Sequence, residues 1–194
     1  HYVQITQIGG MTNRNFKVTW SNESYVLRIP GNGTEGMIVR ENEDYNSRLA
    51  YQLKITPEIF YLDVQSGVKL VRYIEGAETL NNATIQYMNH IEKVIMVLRT
   101  LHTSGVRFNN DFNVFKEIEI YEELLGRVKG WMYEGYSELR PSIFALADRL
   151  NQLGVTLTPC HNDLVAENFV KGLDGKIHLI DWEYSGMNDP LWDL

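Results

Sequence analysis

The sequence predicts an α+β fold of two lobes: a small antiparallel β lobe that carries one helix, and a larger, mainly helical lobe. Five short runs of β-type residues fill most of the first 74 positions, and one stretch of helical periodicity interrupts them. A polar connection follows at 75–79, and helical periodicity dominates from residue 80 onwards. We therefore predict a β lobe at 1–74, a hinge at 75–79 and an α-rich lobe at 80–194, with a pocket between the lobes.

The β lobe is predicted from alternating runs that end in turn residues. Strands are expected at 2–8, 15–20, 25–29, 58–64 and 68–74. Ser21-Asn22-Glu23-Ser24 has the composition of a turn between the second and third strands. Between the third and fourth strands the apolar residues change to helical spacing, which predicts an amphipathic helix at 38–53.

The second lobe is predicted from longer periodic segments. Helices are expected at 85–102, 115–128 and 138–153. Leu173-Asp174-Gly175-Lys176 predicts a hairpin near the C-terminal end. The chain stops at 190–194 without a polar tail or a helix-end signal, so we expect the helical lobe to be incomplete.

Composition excludes several classes of protein. The 194 residues are 44% hydrophobic and 22% charged, which is ordinary for a globular protein. The formal net charge of −7 argues against nucleic-acid binding and is compatible with a cationic substrate. No apolar run approaches the roughly 18 residues of a membrane helix, and no signal peptide is recognisable. A single cysteine, Cys160, excludes internal disulfides and suits the cytoplasm.

Two acid-bearing runs predict the chemistry. His161-Asn162-Asp163 is followed by Asn168, and Asp181 ends the next apolar run. This is the order in phosphotransferases of the protein-kinase type: Asp163 orients an acceptor hydroxyl towards the γ-phosphate of ATP, while Asn168 and Asp181 hold Mg²⁺. His161, placed with Asp163 in the catalytic loop, is predicted to brace it. The alternative is a capped loop of solvated polar residues, which the second acid-bearing run disfavours.

A phosphate-binding loop is predicted after the first strand. Gly9 and Gly10 allow close approach of the backbone to a phosphate, and Thr12, Asn13 and Asn15 add hydrogen-bond donors. The stretch is neither a G-x-G-x-x-G loop nor a Walker A loop. An ordinary hairpin turn is the alternative.

A basic residue on the third strand is the second part of the predicted nucleotide site. Arg28 is expected to hold the α- and β-phosphates, and an acid of the following helix is expected to orient it. Glu43 is the predicted acid, with Glu41 as the second choice. The alternative is an edge arginine whose head group reaches water.

The residues after Asp181 suggest a cationic acceptor. Trp182, Glu183 and Tyr184 are predicted to bind a quaternary ammonium through cation–π attraction and charge, and Glu183 is also a candidate metal ligand. Core packing is the alternative, and we favour it for Trp192.

The other polar residues are predicted to be structural. Asp189 and Asp193 are expected to be structural, and Asp193 is expected to accept hydrogen bonds from the catalytic-loop backbone. His90 and His102 lack a metal-ligand pattern and are predicted to pack or to face solvent. Cys160 is predicted to be a buried small residue.

These motifs resemble the choline/ethanolamine kinase branch of the aminoglycoside-phosphotransferase-like kinases over nearly the whole chain. The resembling stretches are the phosphate loop at 9–16, the third strand Tyr25-Val26-Leu27-Arg28-Ile29-Pro30-Gly31, the helix from Arg40 to Pro57, the hinge Val71-Arg72-Tyr73-Ile74-Glu75-Gly76, the catalytic loop at 161–168 and the metal motif Ile180-Asp181-Trp182-Glu183-Tyr184. The resemblance implies a protein-kinase-like fold in which Tyr73 and Ile74 meet adenine through their backbone. The sequence is most similar to bacterial choline kinases that supply phosphocholine to cell-surface glycans.

The resemblance implies transfer of the γ-phosphate of ATP, with Mg²⁺, to the hydroxyl of choline. Ethanolamine, thiamine, a methylthio-sugar or an aminoglycoside are the alternative acceptors. A nucleotide-binding scaffold without catalysis and a purely structural interaction domain are the alternatives outside enzymes.

Overall fold

The computed structural model describes residues 2–9, 13–31 and 37–194. The first five strands form one antiparallel sheet in the order β1-β2-β3-β5-β4. Their bounds are β1 Val3–Gln7, β2 Arg14–Trp20, β3 Glu23–Ile29, β4 Ile59–Leu62 and β5 Lys69–Arg72, and helix α1, Arg40–Gln52, lies between β3 and β4 in sequence. The predicted antiparallel β lobe with one helix is confirmed.

The hairpin between β2 and β3 is tighter than predicted. Trp20 pairs with Glu23, so the loop contains only Ser21 and Asn22. Both residues have positive φ, 50° and 68°, as a two-residue turn that matches the strand twist requires. The third strand therefore begins two residues earlier than the expected start at Tyr25.

Strand register places Arg28 and Lys69 on the same face of the sheet. Arg28 pairs with Asn15 of β2 on one side and with Lys69 of β5 on the other. Residues directly opposite each other in neighbouring strands share a face of the sheet. This face is turned towards α1, because both Arg28 and Lys69 contact Glu43 of that helix.

The second lobe contains helices α2 Met88–His102, α3 Val114–Arg127 and α4 Tyr136–Gln152. Helix α2 starts three residues after the expected Ile85, because Asn81 accepts hydrogen bonds from the amides of Ala83 and Thr84 and forms a separate turn. Helix α3 starts at an Asn113 cap, whose side chain accepts from two backbone amides.

Short strands carry the chain between the functional loops. These strands are β6 Glu78–Thr79, β7 Thr158–Cys160, β8 Phe169–Lys171, β9 Ile177–Leu179 and β10 Gly186–Asn188. The predicted hairpin at 173–176 joins β8 to β9. Single 3-10 turns at Ala166–Asn168 and Pro190–Asp193 complete the described elements.

The hydrophobic core joins α1 to the second lobe. Ala50 and Ile55 belong to the same buried cluster as Leu98, Phe108 and Leu179. The backbone carbonyl of Ile55 also accepts a 2.8 Å hydrogen bond from the amide of Leu179. Packing therefore places α1 against the helical lobe, although the predicted hinge at 75–79 assigns α1 by chain order to the β lobe.

No helix in the described ranges has both the length and the apolar character that crossing a membrane requires.

Candidate active site

A buried carboxylate, Glu43, organises the side of the site that the β lobe provides. Its two oxygens lie 2.7 and 2.8 Å from Nη2 of Arg28. Nη1 of Arg40 lies 2.9 Å from one oxygen, and Nζ of Lys69 lies 3.1 Å from the other. The predicted contact between Arg28 and Glu43 is therefore present. The second choice, Glu41, is exposed on the same helix.

Three basic side chains surround the Glu43 carboxylate and keep it ionised. Burial alone would raise the pKa of Glu43, but Lys69 and Arg28 lower it to about 2. Burial lowers the pKa of Lys69, and Glu43 opposes that shift. Lys69 and Arg40 are not among the site residues predicted from sequence. The apolar flanks of Lys69 in a predicted strand, and the spacing of three from Arg40 to Glu43, were the available signals.

The acids after β9 meet the same cluster from the helical lobe. Nη1 of Arg28 lies 3.3 Å from Oδ1 of Asp181. Oε2 of Glu183 lies 3.8 Å from Arg28 and 3.5 Å from Arg40. Burial and the neighbouring Asp181 carboxylate raise the pKa of Glu183 to about 7. The two acids therefore form a crowded anionic pair that an additional cation would stabilise.

The catalytic-loop residues Asp163 and Asn168 lie together. Nδ2 of Asn168 donates to the backbone carbonyl of Asp163 at 2.8 Å, and Oδ2 of Asp163 lies 3.3 Å from the same nitrogen. Asn168 ends the 3-10 turn at Ala166–Asn168, and its side-chain amide is directed back towards Asp163. This contact uses the amide nitrogen, so the amide oxygen is the atom that can act as a metal ligand.

Asp193 holds the backbone of the catalytic loop. Its carboxylate accepts hydrogen bonds from the amides of His161, at 2.9 Å, and Asn162, at 2.8 Å. Nε2 of His102 lies 2.9 Å from the same carboxylate. The predicted hydrogen bonding of Asp193 to the loop backbone is confirmed. Asp189 caps the final 3-10 turn through the amide of Leu191, in agreement with its predicted structural role.

His161 connects the catalytic loop to the metal motif. Its Nε2 lies 2.9 Å from the backbone carbonyl of Ile180, the residue before Asp181. Burial lowers the pKa of His161, so the ring is neutral at pH 7 and donates through Nε2–H. The side chain is fully buried, and its position suits bracing rather than contact with a substrate.

Trp182 corrects one predicted substrate contact. Its side chain is only 1% exposed, and its ring lies 4.9 Å from the ring of His161. The indole nitrogen donates towards Thr56 and the carbonyl of Leu179. The positive φ of Asp181, 68°, reverses the chain direction at this point. The prediction that Trp182 contacts substrate is wrong, because the residue lies in the core.

The other aromatic residues near the site are more accessible. Trp192 is 49% exposed, which contradicts its predicted core packing; its ring lies 6.1 Å from that of Phe112. The hydroxyl of Tyr184 lies 3.4 Å from that of Tyr121 of α3, and the side chain is half-buried. Tyr184 stays a predicted substrate contact.

The predicted nucleotide loop is described in part. Gly10 and Thr12 lie outside the described residues. Gly9 has a φ of +62°, and Asn13 is buried with an Oδ1 that lacks a hydrogen-bond partner among the described residues. A buried polar atom without a partner is costly, so the geometry is compatible with a polar ligand at this loop.

The predicted hinge residues connect the sheet to the second lobe. The amide of Tyr73 donates to the carbonyl of Ser24, and the carbonyl of Ile74 accepts from the amide of Ala77. Nζ of Lys17 lies 3.8 Å from the centre of the Tyr73 ring. These contacts fix the hinge next to β3, the strand of Arg28.

A separate group of possible metal ligands is fully engaged by protein contacts. His102, Cys160 and Asp193 come within 4.8 Å of one another in the described part of the chain. Both Asp193 oxygens already accept backbone hydrogen bonds, and burial raises the pKa of the Cys160 thiol to about 12. This group is therefore structural, and Cys160 is buried as predicted.

Comparison with known proteins identifies the family. The profile of the family described as "Choline/ethanolamine kinase" matches residues 4–194. The chain belongs to the choline/ethanolamine kinase family. Within that family it is 39% identical over 196 residues to "Protein LicA" of Haemophilus influenzae, with all of this chain and 57% of that protein covered. It is 26% identical over 180 residues to human "Ethanolamine kinase 2", with 87% of this chain and 45% of that protein covered.

A solved member of the choline/ethanolamine kinase family has the same fold. The crystal structure of choline kinase LicA from Streptococcus pneumoniae superimposes with a TM-score of 0.86 at 39% identity, covering 98% of this chain and 66% of that chain. A second structure of LicA is a complex with AMP. The two-lobed protein-kinase-like fold is thereby confirmed. The chain spans 57–66% of the length of these two LicA relatives.

Proposed function

We propose that the protein containing this chain transfers the γ-phosphate of ATP to the hydroxyl of choline, giving phosphocholine. The observation that carries the proposal is the convergence of Arg28, paired with Glu43, on Asp181 of the metal motif. Phosphotransferases of this fold position their nucleotide with such a cation–acid pair. The choline kinase relative and its AMP complex support the same activity and nucleotide.

The residues present fit a magnesium site. Asn168, Asp181 and Glu183 offer the hard oxygen atoms that Mg²⁺ prefers. Burial and the Asp181 carboxylate raise the pKa of Glu183, and a bound cation would favour its ionised form. These three side chains would hold the metal. When bound, Mg²⁺ neutralises charge on the phosphates during transfer.

The chain's own residues then have separate tasks. Arg28 would contact the phosphates, with its guanidinium held in place by Glu43. Asp163 would accept a hydrogen bond from the acceptor hydroxyl and aim that oxygen at the γ-phosphorus. His161 would hold the loop that carries Asp163 at a fixed distance from Asp181. Gly9, Gly10, Thr12, Asn13 and Asn15 are the proposed phosphate-loop contacts, with Tyr73 and Ile74 next to adenine.

The acceptor is proposed to be a small cationic alcohol. Glu183 would supply negative charge and Tyr184 an aromatic face for the cationic group of the acceptor. Ethanolamine is the second candidate, because the burial of Trp182 removes one aromatic face that a quaternary ammonium would use. A primary ammonium instead donates hydrogen bonds to carboxylates. Dependence on ATP makes the cytoplasm the proposed site of action.

Acceptor competition tests the proposal. The full-length protein would be supplied with ATP and Mg²⁺ and with choline, ethanolamine, thiamine or an aminoglycoside, and products would be followed by phosphorus NMR. We expect phosphocholine as the main product, with choline outcompeting ethanolamine in an equimolar mixture. Preferential phosphorylation of ethanolamine would establish the second candidate. ATP turnover that no amino-alcohol stimulates would reject both.

A further inference from the structure

A buried asparagine of α1 makes contacts that the proposed chemistry does not explain. Asn46 is fully buried, one turn after Glu43 on the same helix. Its Nδ2 lies 2.9 Å from Oδ1 of Asn110, and 3.1 Å from both the carbonyl and the hydroxyl oxygen of Ser185. Its Oδ1 accepts a 3.0 Å hydrogen bond from the amide of Asn109.

This side chain is fully committed to the second lobe. A primary amide has two donor hydrogens and one acceptor oxygen, and Asn46 uses both ends on residues outside α1. Burying an amide is unfavourable unless these partners are present. A nonpolar residue would fill the position more simply, so the contacts themselves need an explanation.

Ser185 connects Asn46 to the metal motif. Ser185 lies two residues after Glu183, and its hydroxyl donates a 2.6 Å hydrogen bond to the carbonyl of Trp182. Because the hydroxyl hydrogen is used in this way, its oxygen is the acceptor for Asn46. The carbonyl of Ser185 also accepts from Nδ2 of Asn110 at 3.0 Å. Asn46 is therefore bonded directly to the short segment that carries Asp181 and Glu183.

The same helix carries both ends of this connection. Glu43 meets Arg28 one turn before Asn46, and Arg28 in turn meets Asp181. Helix α1 is thus connected to the segment 181–185 in two ways. One connection runs from Glu43 through Arg28 to Asp181, and the other runs from Asn46 to Ser185. Ala50, one turn after Asn46 on α1, packs in the core shared with the second lobe and helps to hold the helix in this position.

We propose that Asn46 is a positioning residue, which fixes the distance between Glu43 and the metal motif so that Arg28 engages both acids. The inference rests on the proposed function, since it assigns a role within that nucleotide site. Asn46 acts through Glu43 and Arg28 and touches neither nucleotide nor acceptor. Loss of its hydrogen bonds weakens the binding of magnesium nucleotide more than the binding of acceptor.

The variant Asn46→Asp tests this inference. It keeps the size and the acceptor of the side chain and replaces the donor that faces three acceptor oxygens. We expect the affinity for Mg²⁺-ADP, measured by calorimetry on the full-length protein, to fall about tenfold. The KM for the acceptor should change by less than about twofold. Asn42→Asp is the matched control, since Asn42 lies one turn earlier and bonds Asn109 at the surface; its Mg²⁺-ADP affinity should stay within about twofold of wild type.

A double-variant comparison separates positioning from general destabilisation. In a Glu43→Gln background, Asn46→Asp should lower the Mg²⁺-ADP affinity by less than about twofold. The reason is that Asn46 acts through the Glu43 carboxylate, which the background substitution has already replaced by a neutral amide. An undiminished effect in that background, or unchanged affinity of folded Asn46→Asp, would overturn the inference. If Asn46→Asp fails to fold, Ser185→Ala is compared in the same two backgrounds with the same criteria; it removes the hydroxyl acceptor of Asn46 and the hydrogen bond from that hydroxyl to the carbonyl of Trp182.

The proposed function has its own readout in this experiment. A wild-type protein that binds no Mg²⁺-ADP would reject the proposed nucleotide site and the inference together. Wild-type binding without the expected effect of Asn46→Asp would reject the inference alone.

Discussion

The guanidinium of Arg28 lies 3.3 Å from the carboxylate of Asp181, although 153 positions separate the two residues in sequence. One end of that guanidinium is bound to Glu43 and the other faces the metal motif. Arg28 is therefore the contact at which the β lobe, α1 and the helical lobe meet. A side chain with a planar, forked set of donors suits this role better than lysine, which presents a single charged nitrogen.

Replacement of Asp163 tests the proposed assignment of roles. Asp163→Ala should lower kcat by at least about 10²- to 10⁴-fold, the range typical of a lost general base. Nucleotide contacts come from other residues, so the affinity for Mg²⁺-ATP should change little. Steady-state kinetics and calorimetry on the same preparation measure the two quantities. Full activity of the variant would contradict the assignment.

The low pKa of Glu43 predicts a specific dependence of stability on pH. The folded-state pKa is about 2, below the ordinary 4.5, so the stabilisation is present above pH 4.5 and is lost as the pH falls towards 2. At pH 7 it amounts to about 3 kcal/mol at most. The difference in unfolding free energy between wild type and Glu43→Gln, measured with urea, should therefore be largest at pH 7 and should have fallen by more than half near pH 3. Glu41→Gln, on the exposed side of the same turn, should match wild type at both values. A difference between wild type and Glu43→Gln that is equal at both pH values would contradict the prediction.

Gly67 should be intolerant of a side chain for a steric reason. A Cβ there would lie 2.8 Å from Nε of Arg40, and the residue has a φ of +71°. Gly105 has a similar φ of +73° but open space around its Cβ position, so Gly105→Ala is the matched control. Both substitutions cost about 1 kcal/mol in backbone strain. Gly67→Ala should lower stability by about 1 kcal/mol more, because the added Cβ would clash with Arg40. It should also raise the KM for Mg²⁺-ATP by displacing Arg40.

Chemical denaturation measures the stabilities of the two glycine variants, and steady-state kinetics measures the nucleotide KM. Equal losses of stability in both variants, with an unchanged KM, would show that Arg40 moves aside without consequence for the site.

His161 should make the protein sensitive to mild acid. Its folded-state pKa is lowered by burial, so below pH 6.5 the unfolded chain takes up a proton that the folded protein does not. Stability therefore falls with decreasing pH in this range, by at most about 1.4 kcal/mol per pH unit. His161→Phe should have a shallower slope of unfolding free energy between pH 7 and 5. Parallel slopes in the two proteins would contradict the prediction.

Sequence patterns were sufficient for the sheet, α1 and the pairing of Arg28 with Glu43. These depend on local alternation and on helical periodicity, and the partners are only 15 positions apart. The predicted contact of Asp193 with the catalytic loop is likewise present at a separation of about 30 positions. The assigned roles of these residues towards nucleotide and acceptor stay predictions.

The buried polar partners were beyond the reach of local patterns. Asn46 and Ser185 are 139 positions apart, and neither has a neighbour in sequence that distinguishes it from a surface residue. The burial of Lys69 could not be predicted for a similar reason. Lysine is usually exposed to solvent, whereas strand register places Lys69 beside Arg28. The orientation of Trp182 depends on a left-handed backbone at Asp181, a conformation that non-glycine residues seldom adopt.

The arrangement of charge around Glu43 has a consequence for the order of assembly during synthesis. Arg28, Arg40 and Lys69 leave the ribosome with Glu43 as their shared buried partner. Asp181 and Glu183, which face Arg28 and Arg40, are made more than 100 residues later. Until then a nascent β lobe that closed would enclose excess positive charge, which is strongly unfavourable. Closure of the β lobe over this cluster is therefore expected to depend on the acids that the second lobe supplies.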